Sequence, residues 1–140
     1  MKVETFSDGV AICGDCTSSQ VLQEVQSHLG RDDRAALVAT DPPYGNIIDE
    51  EWDRWGKGQR AFVDWMVDWT KSYADLLVDN GAMYVWGGYG VQGFRPFFEY
   101  AARVEGDTPL RISNFLTWSK KRAYGLSYNY LACREGILLS

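Results

Sequence analysis

The chain has 140 residues, 46% of them hydrophobic, and a formal net charge of -5, which is material for one core and one domain. No apolar run approaches the roughly 18–20 residues of a membrane span, and the opening residues mix Lys2, Glu4 and Asp8 with apolar ones, unlike a signal peptide, so a soluble protein of the cytoplasm with no membrane partner is expected. The charge is uneven: residues 1–70 hold 6 basic and 13 acidic side chains, residues 71–140 hold 8 and 6, and a phosphate-facing surface is expected in the second half.

Along the chain, Val10-Ala-Ile-Cys13 reads as a short buried strand. Gly14-Asp15 breaks it, and Thr17 or Ser18 can cap a helix. Val21, Leu22, Val25 and Leu29 recur at helical spacing and Gly30 is a natural stop. Ala35-Ala-Leu-Val-Ala-Thr40 is a second buried strand, running straight into Asp41-Pro-Pro-Tyr44-Gly45. An acidic, loop-like stretch with Trp52 and Trp55 follows. Phe62, Trp65, Met66, Trp69, Tyr73, Leu76 and Leu77 trace one face of a long helix, with Asn80-Gly81 as its end. Ala82-Met-Tyr-Val-Trp86 reads as a third strand. A glycine-rich stretch, residues 87–93, leads into a helix over 94–103, with Pro96 in its first turn. Two further strands are expected at 111–118 and 136–139. Strands alternating with helices of ten or more residues predict an α/β fold with a mainly parallel sheet, whose ligands bind beyond the carboxyl ends of the strands.

Cys13, Cys16 and Cys133 are an odd count without a secretory signal, which argues against a disulfide framework. Cys13-Gly-Asp-Cys16 has the spacing of a metal knuckle but no second pair, so no metal site is expected and the thiols are read as buried or half-buried.

The turn at 41–45 lies at such a strand end. Two consecutive prolines, Pro42 and Pro43, fix two φ angles near -65° and press the preceding residues into extended backbone. The Asp41 carboxylate and the Pro42 carbonyl then form two fixed acceptors where no proline N–H competes. Tyr44 adds an aromatic face, and Gly45 lets a ligand approach the backbone. An amino group on an aromatic ring fits this arrangement. With both N–H bonds held, its lone pair is less conjugated and free to attack an electrophile, a preorganised electrostatic stabilisation. Such a base has to be flipped out of a duplex. The bland alternative is a Pro-Pro turn begun by an Asp for structural reasons alone.

Asp41-Pro-Pro-Tyr44 resembles the catalytic motif of DNA amino-methyltransferases acting on adenine N6 or cytosine N4, and Asp in first position goes mainly with adenine. Ile12-Cys-Gly-Asp15 followed by a helix and by Ala36-Leu-Val-Ala-Thr-Asp-Pro-Pro-Tyr-Gly45 is similar to the opening of the subgroup whose catalytic motif precedes its cofactor motif. The resemblance implies a Rossmann-like methyltransferase sheet with flanking helices, S-adenosylmethionine as cofactor and DNA as partner. It implies catalytic roles for Asp41, Pro42, Pro43 and Tyr44, and cofactor contacts from Asp15 (adenosine) and Asp41. Trp118-Ser-Lys120 and Arg134-Glu-Gly-Ile-Leu138 resemble the strands beside the target-base pocket. With Tyr44, Trp118, Lys120, Lys121 and Arg122 are therefore the expected nucleic-acid contacts, a basic cluster among aromatics; a solvated hairpin turn is the competing reading of 120–122. The resemblance covers the first half of such an enzyme. The Phe-x-Gly-x-Gly cofactor loop of the family does not occur in these 140 residues, nor does a target-recognition domain. One partial catalytic domain is expected over 1–140, a truncated product or gene fragment, or one piece of a split enzyme completed by a second polypeptide or a missing carboxyl-terminal half.

Gly88-Tyr-Gly-Val-Gln-Gly93 matches the G-x-G-x-x-G pattern of dinucleotide sites, after a strand and before a helix. That reading also wants an acid at a strand end about 20 residues on, and Glu105 and Asp107 are the nearest in number. A dinucleotide-dependent oxidoreductase and a non-catalytic remnant of a methyltransferase are the two competing functions.

Overall fold

The computed structural model describes all residues except 31–33, 46–50, 57, 89–93, 125–131 and 140, with the backbone alone of 52, 119–124 and 132–139. Strand β1 (Lys2–Phe6) pairs antiparallel with β2 (Gly9–Cys13), from Lys2 opposite Cys13 to Phe6 opposite Gly9. The hairpin departs from the expected buried strand at 10–13. Every residue of β1 is exposed, and in β2 only Val10 and Ile12 are half-buried. Among the described residues no further strand pairs with this two-stranded ribbon, which leaves it little to bury its faces against. Cys13 and Cys16 are accordingly exposed free thiols, contrary to expectation. Among the described residues no cluster of side chains suits a metal ion, and no helix is long and apolar enough to cross a membrane.

Helix α1 (Ser19–Ser27) starts where Ser18 caps it, its Oγ accepting from the Val21 N–H at 3.3 Å. Strand β3 (Ala35–Thr40), helix α2 (Gly58–Ala74) and strand β4 (Leu77–Gly87) form a β-α-β unit with parallel strands. Helix α3 (Phe94–Asp107) and strands β5 (Asn114–Tyr124) and β6 (Ala132–Leu139) complete a four-stranded sheet of order β3-β4-β6-β5. The fold is α/β as expected, but among the described residues β3–β4 is the one parallel pair, because β6 runs antiparallel to both β4 and β5.

The expected helix end at Asn80-Gly81 lies inside β4 instead, since α2 stops at Ala74. Asn80 has a φ of 65°, a left-handed value that Asn tolerates better than most residues. Pairing with β3 slips there, from Ala35 opposite Leu77 to Leu37 opposite Ala82. The pair thus marks a strand irregularity of the bulge type.

The core lies where α2 and α3 cover β4. Phe62, Val63, Met66, Val67 and Trp69 of α2 meet Leu77, Met83 and Val85 of β4 and Phe97, Tyr100 and Val104 of α3. Between the helices, buried Thr70 donates to the Met66 carbonyl and accepts from the Tyr100 hydroxyl at 2.9 Å. Burial pushes the Tyr100 phenol up to about 12, so it stays a neutral donor. Outside, Arg103 of α3 reaches both Asp64 of α2 and Asp107. Trp55 packs on Phe62 and Trp65 with ring centroids 5.5 and 5.3 Å away, so it covers the start of α2.

Candidate active site

The β3 backbone delivers Asp41 to the carboxyl end of a strand that stands at one edge of the sheet. Asp41 is exposed, Pro42 is buried, and Pro43, Tyr44 and Gly45 are half-buried. The Tyr44 hydroxyl donates to Asp41 Oδ1 at 2.8 Å. That bond occupies one carboxylate oxygen and leaves Oδ2 without a partner among the described residues. No described group donates to the Pro42 carbonyl either. Of the two acceptors, Asp41 Oδ2 is on an exposed side chain, whereas the Pro42 carbonyl belongs to a buried residue.

Behind the turn the packing is close. Gly45 turns with a φ of 76°, and its α-carbon faces the Phe62 ring, which would stand 3.4 Å from an added Cβ. Pro42, Pro43 and Tyr44 back onto Trp86, Pro96 and Phe97 around a crevice of about 10 Å³, room for about one water at most. Gly87, the last residue of β4, lies under the Phe97 ring, where any Cβ would collide with it. The chemistry of the turn therefore faces outward, on the side of Asp41.

A short 3-10 turn, η1 (Glu51–Asp53), follows the turn in sequence. Its Asp53 is 1% exposed, and a single oxygen, Oδ1, accepts from both the Tyr44 N–H and the Gly45 N–H at 2.8 Å. Nothing in the sequence singles out this residue, which falls in the acidic, loop-like stretch after the turn. The one available signal is an accounting one. After two prolines, Tyr44 and Gly45 carry the first N–H groups that need acceptors, but Asp49, Glu50, Glu51 and Asp53 all follow within reach and nothing in the pattern selects among them.

The structure brings Asp41, Pro42, Pro43 and Tyr44 together and sets Asp15 apart. Asp15 accepts from the Thr17 N–H at 2.9 Å and the Thr17 hydroxyl at 2.7 Å, bonds that hold its carboxyl below the usual range. Its neighbour Cys16 accepts through its carbonyl from the Tyr73 hydroxyl at 3.0 Å. Tyr73 lies in the last turn of α2, just before β4 begins. Because β3 and β4 are parallel, that is the end of the sheet opposite Asp41. A larger cavity of about 700 Å³ also opens there, beside Arg34, Asp79 and Arg111. Trp118 is 56% exposed on β5; the side chains of Lys120, Lys121 and Arg122 lie outside the described residues. Of the glycine-rich pattern, Gly88 is buried at the end of β4 and residues 89–93 lie outside the description. The acids that a dinucleotide site would need are in helix α3, not at a strand end. Glu105 accepts from the Ile112 N–H at 2.9 Å, and Asp107 pairs with Arg103.

Residues 35–137, from β3 through most of β6, match the family model for DNA methylases of the N6/N4 methyltransferase type. The chain belongs to this DNA methylase family. The match contains the 41–45 turn and leaves out the hairpin and α1, with Asp15. Among solved structures, the M1.HpyAVI–SAM complex is similar, with a TM-score of 0.53 and 19% identity over 86% of this chain and 47% of that one. The chain thus spans about half the length of that structure, and at this identity the likeness is one of fold. No curated protein matches.

Proposed function

We propose that the intact protein transfers a methyl group from S-adenosylmethionine to the N6 amino group of an adenine flipped out of DNA, in the cytoplasm. The observation that carries this reading is the exposed Asp41 carboxylate, with Oδ2 unpartnered among the described residues, next to the Pro42 carbonyl on a rigid turn at the end of a parallel strand. In this reading the two acceptors hold the two N–H bonds of the amino group, and the nitrogen lone pair is directed outward. The Tyr44 hydroxyl keeps Asp41 Oδ1 occupied, so the carboxylate presents Oδ2, and the Tyr44 ring stacks on the base. Asp41 Oδ2 accepts the proton that the nitrogen releases as it is methylated.

The donor set suits the cofactor. Asp41 is an exposed carboxylate with no cation paired to it among the described residues, which complements a sulfonium. When bound, S-adenosylmethionine supplies an electrophilic methyl group. Asp41 is the residue we assign to face it; the adenosine contact expected of Asp15 rests on the resemblance alone. Trp118, with Lys120, Lys121 and Arg122 after it on the edge strand β5, is assigned to the DNA.

The site as described is one wall. Strand β3 has a single strand neighbour among the described residues, and Leu37 on it is 54% exposed. An unpaired edge beside an exposed leucine is a surface that pairs with another strand. We assign residues 1–140 to one partial catalytic domain, completed across β3 by further chain or by a second polypeptide. The test is incubation of the intact protein with DNA and methyl-labelled S-adenosylmethionine, followed by nucleoside analysis. N6-methyladenine is the expected product. N4-methylcytosine would reassign the base, and an unmethylated duplex would overturn the reading.

A further inference from the structure

A carboxylate with 1% exposure is costly to hold in a protein interior unless hydrogen bonds replace its water. Asp53 meets that requirement in part with two backbone N–H groups, and both belong to the catalytic turn. They are also consecutive. A single oxygen gripping the N–H groups of Tyr44 and Gly45 fixes the orientation of two successive peptide planes. From there the geometry runs outward through the Tyr44 side chain, whose hydroxyl holds Asp41 Oδ1 at 2.8 Å. On the far side of Gly45 the Phe62 ring blocks retreat of the turn. The prolines stiffen residues 41–43 from within but give no purchase beyond them, because neither has an N–H. Asp53 supplies the anchor where the proline stiffening ends.

We propose that Asp53 is a positioning residue for methyl transfer. It acts on the reacting atoms through Tyr44 and Asp41 and touches neither base nor cofactor. This rests on the functional reading above and adds to it a residue outside the Asp-Pro-Pro-Tyr motif. A positioning role makes a demand that simple stabilisation does not: rate must fall while binding and folding hold.

The experiment measures single-turnover methylation of DNA by the intact protein, together with Kd for DNA and for S-adenosylmethionine and the thermal midpoint, in Asp53→Ala, Asp53→Asn and Asp53→Glu. Misplacement of reacting groups by about 1 Å can cost on the order of a hundredfold in rate. Asp53→Ala is accordingly expected to lose about 10- to 100-fold in the methyl-transfer step, with both Kd values within about threefold. Asp53→Asn keeps an Oδ1 acceptor in the same place and is expected to restore most of the rate. Should Asp53→Ala fail to fold, Asp53→Glu carries the same test. It keeps the charge but shifts the carboxylate by one methylene, so it must lose rate with binding intact. A folded Asp53→Ala or Asp53→Glu with parental rate overturns the inference. So does a loss of rate that tracks the loss of thermal midpoint and is not relieved by Asn. A parental protein that transfers no methyl group removes the functional reading itself, which separates the two failures.

Discussion

Replacing Tyr44 by Phe removes its hydroxyl and with it the 2.8 Å contact to Asp41 Oδ1. A hydrogen bond to a charged group contributes about 1.5–3 kcal/mol when shielded. This one is solvent-exposed, so water competes and about 1 kcal/mol is the appropriate figure. Since about 1.4 kcal/mol is tenfold in rate, Tyr44→Phe should slow methyl transfer about fivefold. The loss arises because Asp41 is then free to rotate Oδ2 away from the amino group. Tyr44→Ala removes the ring as well, and base–aromatic stacking is worth about 1–3 kcal/mol. It should fall a further five- to hundredfold or so, and DNA carrying a fluorescent adenine analogue at the target should lose the emission change that reports flipping. The assay is single-turnover methylation at saturating DNA and S-adenosylmethionine. A Phe variant as fast as the parental protein would refute the coupling of Tyr44 to Asp41. A Phe variant as slow as Ala would refute the stacking role.

Three further outcomes are expected. Gly87→Ala would drive a Cβ into the buried Phe97 ring, and overpacking of this kind costs about 1–3 kcal/mol, to be read as a lower urea midpoint at unchanged slope; an unaltered midpoint would contradict the packing described. The Asp15 carboxyl is held low by its Thr17 bonds, so its stabilising contribution is complete above the unfolded value near about pH 4 and is lost as pH falls through the lower folded value. Asp15→Ala should therefore lower the melting temperature at pH 7 and leave it unchanged in strong acid. The 140-residue chain alone, with the β3 edge and Leu37 exposed, should self-associate in light scattering and bind S-adenosylmethionine weakly in calorimetry, whereas a clean monomer binding it at low micromolar Kd would contradict the one-wall description.

The parts of the fold legible in the sequence are those with a local cause. The run at 35–40 and the proline pair after it announce β3 and its turn, and the apolar face from Phe62 to Tyr73 announces α2. Strand direction has no such local mark. Strands placed at 111–118 and 136–139 leave room between them for a parallel crossover. The real strands run on to Tyr124 and back to Ala132, so only residues 125–131 separate them, fewer than the dozen or so a crossover requires. The β1–β2 hairpin escaped notice because its first strand is short and wholly exposed, leaving little hydrophobic contrast to read. Asn80-Gly81 reads as a helix stop and serves instead inside a strand, because both uses need the same tolerance of positive φ. At the site, the motif marks the residues that share the turn at the end of β3. Its anchor at Asp53 depends on the placement of η1 beside the turn, a tertiary fact that no spacing in the chain encodes.

Asp41 is a charged acceptor at the end of β3, with one oxygen unpartnered among the described residues. The direct measurement is methyl incorporation into adenine by the intact protein and its Asp41→Ala variant, with DNA binding followed in parallel. Removing such a preorganised acceptor should cost on the order of a hundredfold or more in turnover, with DNA Kd unchanged within about threefold, because the side chain contributes to the reacting state and not to the grip on the duplex. An Asp41→Ala protein that methylates adenine at near-parental rate would contradict a catalytic role for Asp41.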